Sequence, residues 1–130
     1  MARKIDTSLA SVLNALPGFP ADLNSLPVRN LLRGSRLGLP SGQSIANEIG
    51  TAVVEAATLK DKLLAKGLDA DTIETNHLHE QAPLWFYILS EAETKHAGHR
   101  LGSVGSHILA KTFVDLIAQS QTSILRGDTW

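Results

Sequence analysis

Asn30 and Arg33 are the residues of this chain whose types and spacing carry the most pointed chemistry. They stand three apart in RNLLRGSRLGLP (29–40), so on a helix their side chains share a face. An asparagine carbonyl oxygen accepts a hydrogen bond from an imidazole N–H, which holds a metal-ligating histidine in one tautomer and one orientation. An arginine fork pairs with a carboxylate at two points. Asn-x-x-Arg is also common on exposed helices, where it only faces water. Spacing alone therefore leaves both readings open.

The other chemistry-bearing residues point less sharply. Five histidines invite a metal reading. His77 and His79 are two apart and diverge on a helix, and they sit in a polar stretch. His96 and His99 are three apart near the end of a proposed helix, where a protonated imidazole suits the dipole. A structural zinc site needs four ligands, so solvated histidines near helix ends are the plainer reading. His107 reads as a packing or hydrogen-bonding residue. Asp69 with Asp71, and Glu91 with Glu93, are carboxylate pairs two apart in polar surroundings, and helical geometry separates each pair too far for general acid–base work. Serine, histidine and aspartate all occur, but no strand–turn–helix elbow presents a nucleophile. Gly102 and Gly105 lack the preceding strand and the lysine of a phosphate loop and read as a tight turn before a helix. No catalytic residue and no metal ligand is assigned.

The elements that must position Asn30 and Arg33 are helices. Leu9, Val12, Leu13 and Leu16 recur at helical spacing, with Asp6, Thr7 or Ser8 as a cap and Pro17-Gly18 as the stop. A second helix starts at Ser25 with Pro27 in its first turn, where a missing N–H costs nothing, and Gly38 stops it. Ser41 caps a third, which Gly50 closes. The spacing predicts a fourth over 51–66, ended by Gly67. Residues 68–81 are polar and fit no single pattern. The apolar run APLWFYILSEAE (82–93) suits a buried strand or a helix, and Pro83 at a first helical position with the trailing SEAETKHAG favours the helix. After a glycine-punctuated turn with Ser103 as a cap, a last helix carries Val104, Ile108, Leu109, Phe113, Leu116 and Ile117. No useful period-2 alternation and no repeat is present. The expectation is a single all-α region over 1–130, an irregular array of five or six helices.

Composition bounds the class. At 130 residues the chain is one domain's worth, enough to bury roughly two thirds of its unfolded surface. A net charge of −1 argues against general nucleic-acid or anionic-membrane binding. With no cysteine there is neither a disulfide framework nor thiolate chemistry. The opening residues do not read as a signal peptide, and no run approaches the roughly 18 apolar residues of a spanning helix. The expectation is a soluble chain with its compartment unassigned.

One ligand that asks for both Asn30 and Arg33 is haem, whose iron wants an oriented histidine and whose propionates want arginine. The sequence resembles the haem peroxidases of the animal peroxidase superfamily, especially bacterial members, in RNLLRGSRLGLPSGQ (29–43). Asn30, Arg33, Gly38, Leu39 and Pro40 keep that family's spacing without a gap. APLWFYILSEAETKHAGHRLGSVGSHILAKTFVDLI (82–117) resembles the helix–turn–helix near the C-terminal end of bacterial members, with Ser103 where proline is usual. KIDTSLASVLNALP (4–17) is similar to the segment preceding the asparagine motif. The resemblance implies that Asn30 hydrogen-bonds the proximal histidine, that Arg33 pairs with a haem propionate, and that Gly38-Leu39-Pro40 is the turn that sets the next helix.

The same resemblance implies that key parts lie elsewhere. Family members carry the distal histidine, the catalytic arginine and the proximal histidine upstream of the asparagine motif, and no histidine precedes Asn30 here. The expectation is the C-terminal portion of a haem peroxidase, without ordinary turnover alone. The alternative is a non-catalytic helical module that pairs with a separate N-terminal peroxidase half or with itself. In that case Trp85, Phe86 and Tyr87 would belong to an apolar face lacking its packing partner. A histidine metal site is the third and weakest reading.

Overall fold

The computed structural model describes residues 4–8, 13, 15–21 and 24–121. These residues build six α-helices: α1 (Leu26–Arg36), α2 (Gly42–Glu48), α3 (Ala56–Ala65), α4 (Ala70–Thr75), α5 (Leu84–His96) and α6 (Ser103–Gln119). No strand occurs among the described residues, so the all-α expectation holds there. The helix expected over 9–16 lies largely outside the described residues.

Most boundaries follow from local chemistry. Ser41 Oγ accepts from the Ser44 amide at 3.1 Å, the expected N-cap of α2. Helices α1, α2 and α3 each end in the same double-bonded wrap, with glycine in the left-handed region: Gly38 (φ +60°), Gly50 (φ +67°) and Gly67 (φ +87°). In α1 the Gly38 amide donates to Ser35 O and the Leu39 amide to Gly34 O, both at 3.0 Å, which satisfies two orphan carbonyls. Pro83 sits one position earlier than expected, as the N-cap of α5.

Two stretches differ from the periodicity reading. The helix expected over 51–66 starts only at Ala56. Val53 and Val54 are β-branched and gain little from helix, and the Val54 amide is taken by Tyr87 Oη at 3.0 Å. The polar stretch 68–81 contains α4, started by Asp69, whose carboxylate accepts from the Thr72 amide (2.8 Å) and hydroxyl (2.7 Å). Both bonds favour the ionised form and hold the Asp69 carboxyl below its usual range.

Helix α5 is the hub: α1, α2, α3 and α6 all pack on it. Its Tyr87 is fully buried with Ala46, Val54, Leu59, Ala82 and Val104. Gln43 ties the chain before α5 to α2: its Nε2 donates to His79 O and its Oε1 accepts from the Ala82 amide, each at 2.9 Å. The apolar face lacking a partner is therefore not at Trp85, Phe86 and Tyr87, since Tyr87 is buried and the other two are half-buried. Among the described residues it lies on α6 from Leu109 onward, where Leu109, Phe113, Val114, Leu116 and Ile117 are all exposed.

Tyr87→Phe is expected to cost about 1–2 kcal/mol, because it leaves the buried Val54 N–H without its acceptor. The check is the urea midpoint at constant slope. Burial, reinforced by the charge of Glu91, raises the Tyr87 hydroxyl above 10, although the Val54 N–H opposes the shift. The folded state therefore keeps this proton to higher pH than the unfolded chain. Its contribution is complete below about pH 10 and falls as pH rises through the raised value. Tyr87→Phe should flatten that alkaline limb. Tyr87 is the only tyrosine, so ultraviolet absorbance reports its ionisation directly.

Candidate functional site

Helix α1 carries Asn30 and Arg33 because Pro27 in its first turn and Gly38 beyond its last fix both ends. At 3.6 residues per turn the two side chains leave the axis roughly 60° apart, and their surroundings differ. Asn30 is half-buried and lines a cavity of about 260 Å³ between α1 and the start of α5, opposite Gln81, Pro83 and Trp85. Arg33 is exposed and does not line this cavity. Neither side chain makes a hydrogen bond or ion pair with any other described residue. Arg33 and Arg36 occupy the last turn of α1, where cations suit the negative end of the helix dipole. Arg29 instead stacks on the Phe19 ring, 4.0 Å from its centroid.

Leu31 and Ser35 separate the Asn30 cavity from a larger one of about 810 Å³. The larger space lies between α1, the C-terminal end of α3 and α5. Leucines wall it with Trp85 and Phe86, and Lys66 is the only charged residue lining it among the described residues. Sequence spacing does not reveal this cavity. Its walls come from four separated segments, and the one local signal was the apolar side of α1 formed by Leu31 and Leu32.

The described residues do not by themselves fit a haem. Among the described residues neither cavity is lined by histidine, methionine, tyrosine or cysteine, so these linings offer the iron no customary axial ligand. The histidines lie elsewhere. His77 takes the left-handed position after α4 (φ +50°), where three other helices have glycine, and its Nδ1 faces Glu80 Oε2 at 3.2 Å. His79 is mostly buried, with Nε2 3.7 Å from Glu74 Oε2. His96 is the last residue of α5, and His99 falls in the turn beyond it rather than in the helix. His107 is exposed on α6, not packed. No group of three or more histidine or carboxylate side chains is placed to hold a metal among the described residues.

The carboxylates separate, but the polar setting expected for Glu91 does not hold. Glu93 is paired with Lys62 at 2.8 Å and accepts from the Thr7 hydroxyl at 3.3 Å. The Lys62 ammonium chiefly holds its carboxyl below the usual range. Glu91 is 1% exposed and accepts from the Val104 amide at 3.1 Å and the Gly105 amide at 3.5 Å. It caps α6 from a neighbouring helix, taking the role expected of Ser103, while Gly102 stands at the N-cap position without a side-chain bond. Helical spacing held the clue: Glu91 follows Tyr87 by four and Leu84 by seven, on the buried side of α5.

No helix among the described residues is long and apolar enough to cross a membrane. The chain matches no protein-family model, no curated protein and no solved structure.

Proposed function

We propose that this chain is the C-terminal helical part of a haem peroxidase of the animal peroxidase superfamily, supplying support on the proximal side rather than catalysis. The observation that carries the reading is the run Asn30-x-x-Arg33 with Gly38-Leu39-Pro40 closing the same helix. Two features of α1 support it. Gly38 terminates the helix in the left-handed region, as the motif needs of its turn. Asn30 lines a cavity, and its carboxamide has no described hydrogen-bonding partner, so it can accept from an imidazole brought by another segment. Bound haem supplies the redox centre that reduces a peroxide and oxidises a second substrate. This chain's part is to orient the imidazole through Asn30 and to pair a propionate through Arg33, while the iron ligand comes from residues outside it.

The test is a hemin titration of the chain, followed by Soret absorbance, with added imidazole standing in for the proximal histidine. The expected result is a saturable shift without peroxidase turnover. Asn30→Ala should weaken it about tenfold, the lower end of what lost ligand-orienting bonds cost. Arg33→Ala, an exposed charge, should weaken it about threefold. Equal hemin affinity in the parent chain and both variants would remove the reading.

A second reading, a non-catalytic helical module that pairs with a separate peroxidase half or with itself, is favoured by the exposed apolar face of α6. Phe113 is 57% exposed and Leu116 62%, and contiguous apolar surface of this kind marks interfaces. Light scattering that shows a monodisperse monomer over the whole accessible concentration range, with no dye binding, would count against it.

A further inference from the structure

We propose that the larger cavity is a binding site for an amphipathic monoanion, a carboxylate on an aliphatic or aryl tail, with its head at Lys66 and its tail against Leu31, Leu63, Trp85 and Phe86. The volume, about 810 Å³, lies within the range that small-molecule sites occupy. The wall is predominantly aliphatic and aromatic. Such surface holds water weakly and gains from an apolar occupant.

Charge selects the head group. Among the described residues Lys66 is the only ionic side chain lining the cavity, and no described carboxylate neutralises it. Lys60, Lys62 and Lys111 are each paired with an acid, namely Glu74, Glu93 and Asp115. The Lys66 ammonium instead donates to Ser8 Oγ at 3.0 Å, which holds it at the cavity rim with further donor capacity. Ser35 adds a hydroxyl on the α1 side. One cation, a rim of hydroxyls and a leucine-rich interior match a single negative head on an apolar tail. They do not match a polyanion, which would leave charge unpaired, or a cation, which Lys66 would repel. The site is independent of the haem reading, because Asn30 and Arg33 do not line it.

The experiment titrates octanoate, decanoate and decanol, all below their aggregation thresholds, into the full chain. The probe is Trp85 fluorescence in a Trp130→Phe background, which leaves Trp85 as the only tryptophan. Expected is saturable binding that tightens about fourfold per added methylene, the factor that about 0.8 kcal/mol of burial gives. Lys66→Met should weaken decanoate about threefold, as an exposed ion pair allows, and leave decanol unchanged. Leu32→Phe reaches into the cavity from a residue already 38% exposed and should weaken both ligands while the circular dichroism stays that of the parent chain. Arg33→Ala should change neither, which separates this site from a haem-facing surface. Absence of saturable binding, indifference to Leu32→Phe, or equal loss of decanol and decanoate in Lys66→Met would each overturn the proposal.

Discussion

Gly42→Ala is expected to cost about 3 kcal/mol or more, enough to unfold a marginally stable chain. Gly42 is the first residue of α2 and is buried. A Cβ built there would fall inside the van der Waals envelope of Tyr87 Cβ, Cγ and Cδ1. The ring cannot retreat: Tyr87 is fully buried, and its hydroxyl is held by the Val54 amide. Nor can the backbone of α2 withdraw cheaply, because the Gly42 amide donates to Ala82 O at 3.0 Å and Gln43 holds the same segment through two more bonds. Backbone conformation is not the obstacle, since Gly42 is not in the left-handed region. Alanine would even gain up to about 1 kcal/mol of helix propensity at a position of this kind. Overpacking against an immobile ring outweighs that gain. A double-mutant cycle isolates the cause: Gly42→Ala should cost far less in a Tyr87→Ala background than alone. Urea unfolding monitored by circular dichroism reads all four proteins, and additive losses would refute the steric account.

Gly42 marks the boundary between what the sequence shows and what it hides. Helix ends were legible because each depends on a few neighbouring residues. Gly38, Gly50 and Gly67 stop their helices, and Ser41 starts one. The close approach at Gly42 was not legible, because it depends on a tyrosine 45 positions away and on the packing of α2 against α5. The same holds for the late start of α3, where periodicity ran through Val53 and Val54 but a tertiary bond to Tyr87 claims the Val54 amide. His77 invites a metal reading by its type, yet its distinguishing feature is backbone, a left-handed φ after α4. At the candidate site, spacing put Asn30 and Arg33 on one helix face. It could not show that Asn30 meets a cavity that Arg33 does not line, since the opposite wall of Gln81, Pro83 and Trp85 comes from the chain before α5 and its first turn.

Helix α6 shows why the partner question and the stability question are linked. Its buried residues are Val104 and Gly105, both in the first turn, with Ile108 packed against the core. Beyond Ile108 the helix lies mostly in solvent and presents Leu109, Phe113, Val114, Leu116 and Ile117. A helix of 17 residues is marginal in water by propensity alone. Among the described residues, the contacts that dock α6 on the other helices are concentrated at its N-terminus, and a partner covering the apolar half would add to them.

That concentration makes Glu91 the second residue whose loss is expected to be severe. Its carboxylate answers the orphan amides of Val104 and Gly105, and a negative group there also suits the positive end of the α6 dipole. Glycine at 102 is required for the fit, because a Cβ there would overlap the Glu91 carboxyl group. Glu91→Ala removes the acceptor from two buried N–H groups and leaves a void where the side chain stood, for an expected loss of about 3–4 kcal/mol. Glu91→Gln keeps the volume and one acceptor oxygen but turns an amide N–H₂ toward backbone donors, so about 1–2 kcal/mol is expected. The ordering Ala worse than Gln separates capping from simple charge, since a purely electrostatic role would make the two alike. Hydrogen exchange supplies the local readout. In Glu91→Ala the amides of 106–117 should lose protection together and to a greater extent than those of α2 and α3, because α6 undocks before the rest unfolds. If those amides keep their protection in Glu91→Ala, or if both variants stay within about 0.5 kcal/mol of the parent chain, α6 is held by something other than this carboxylate.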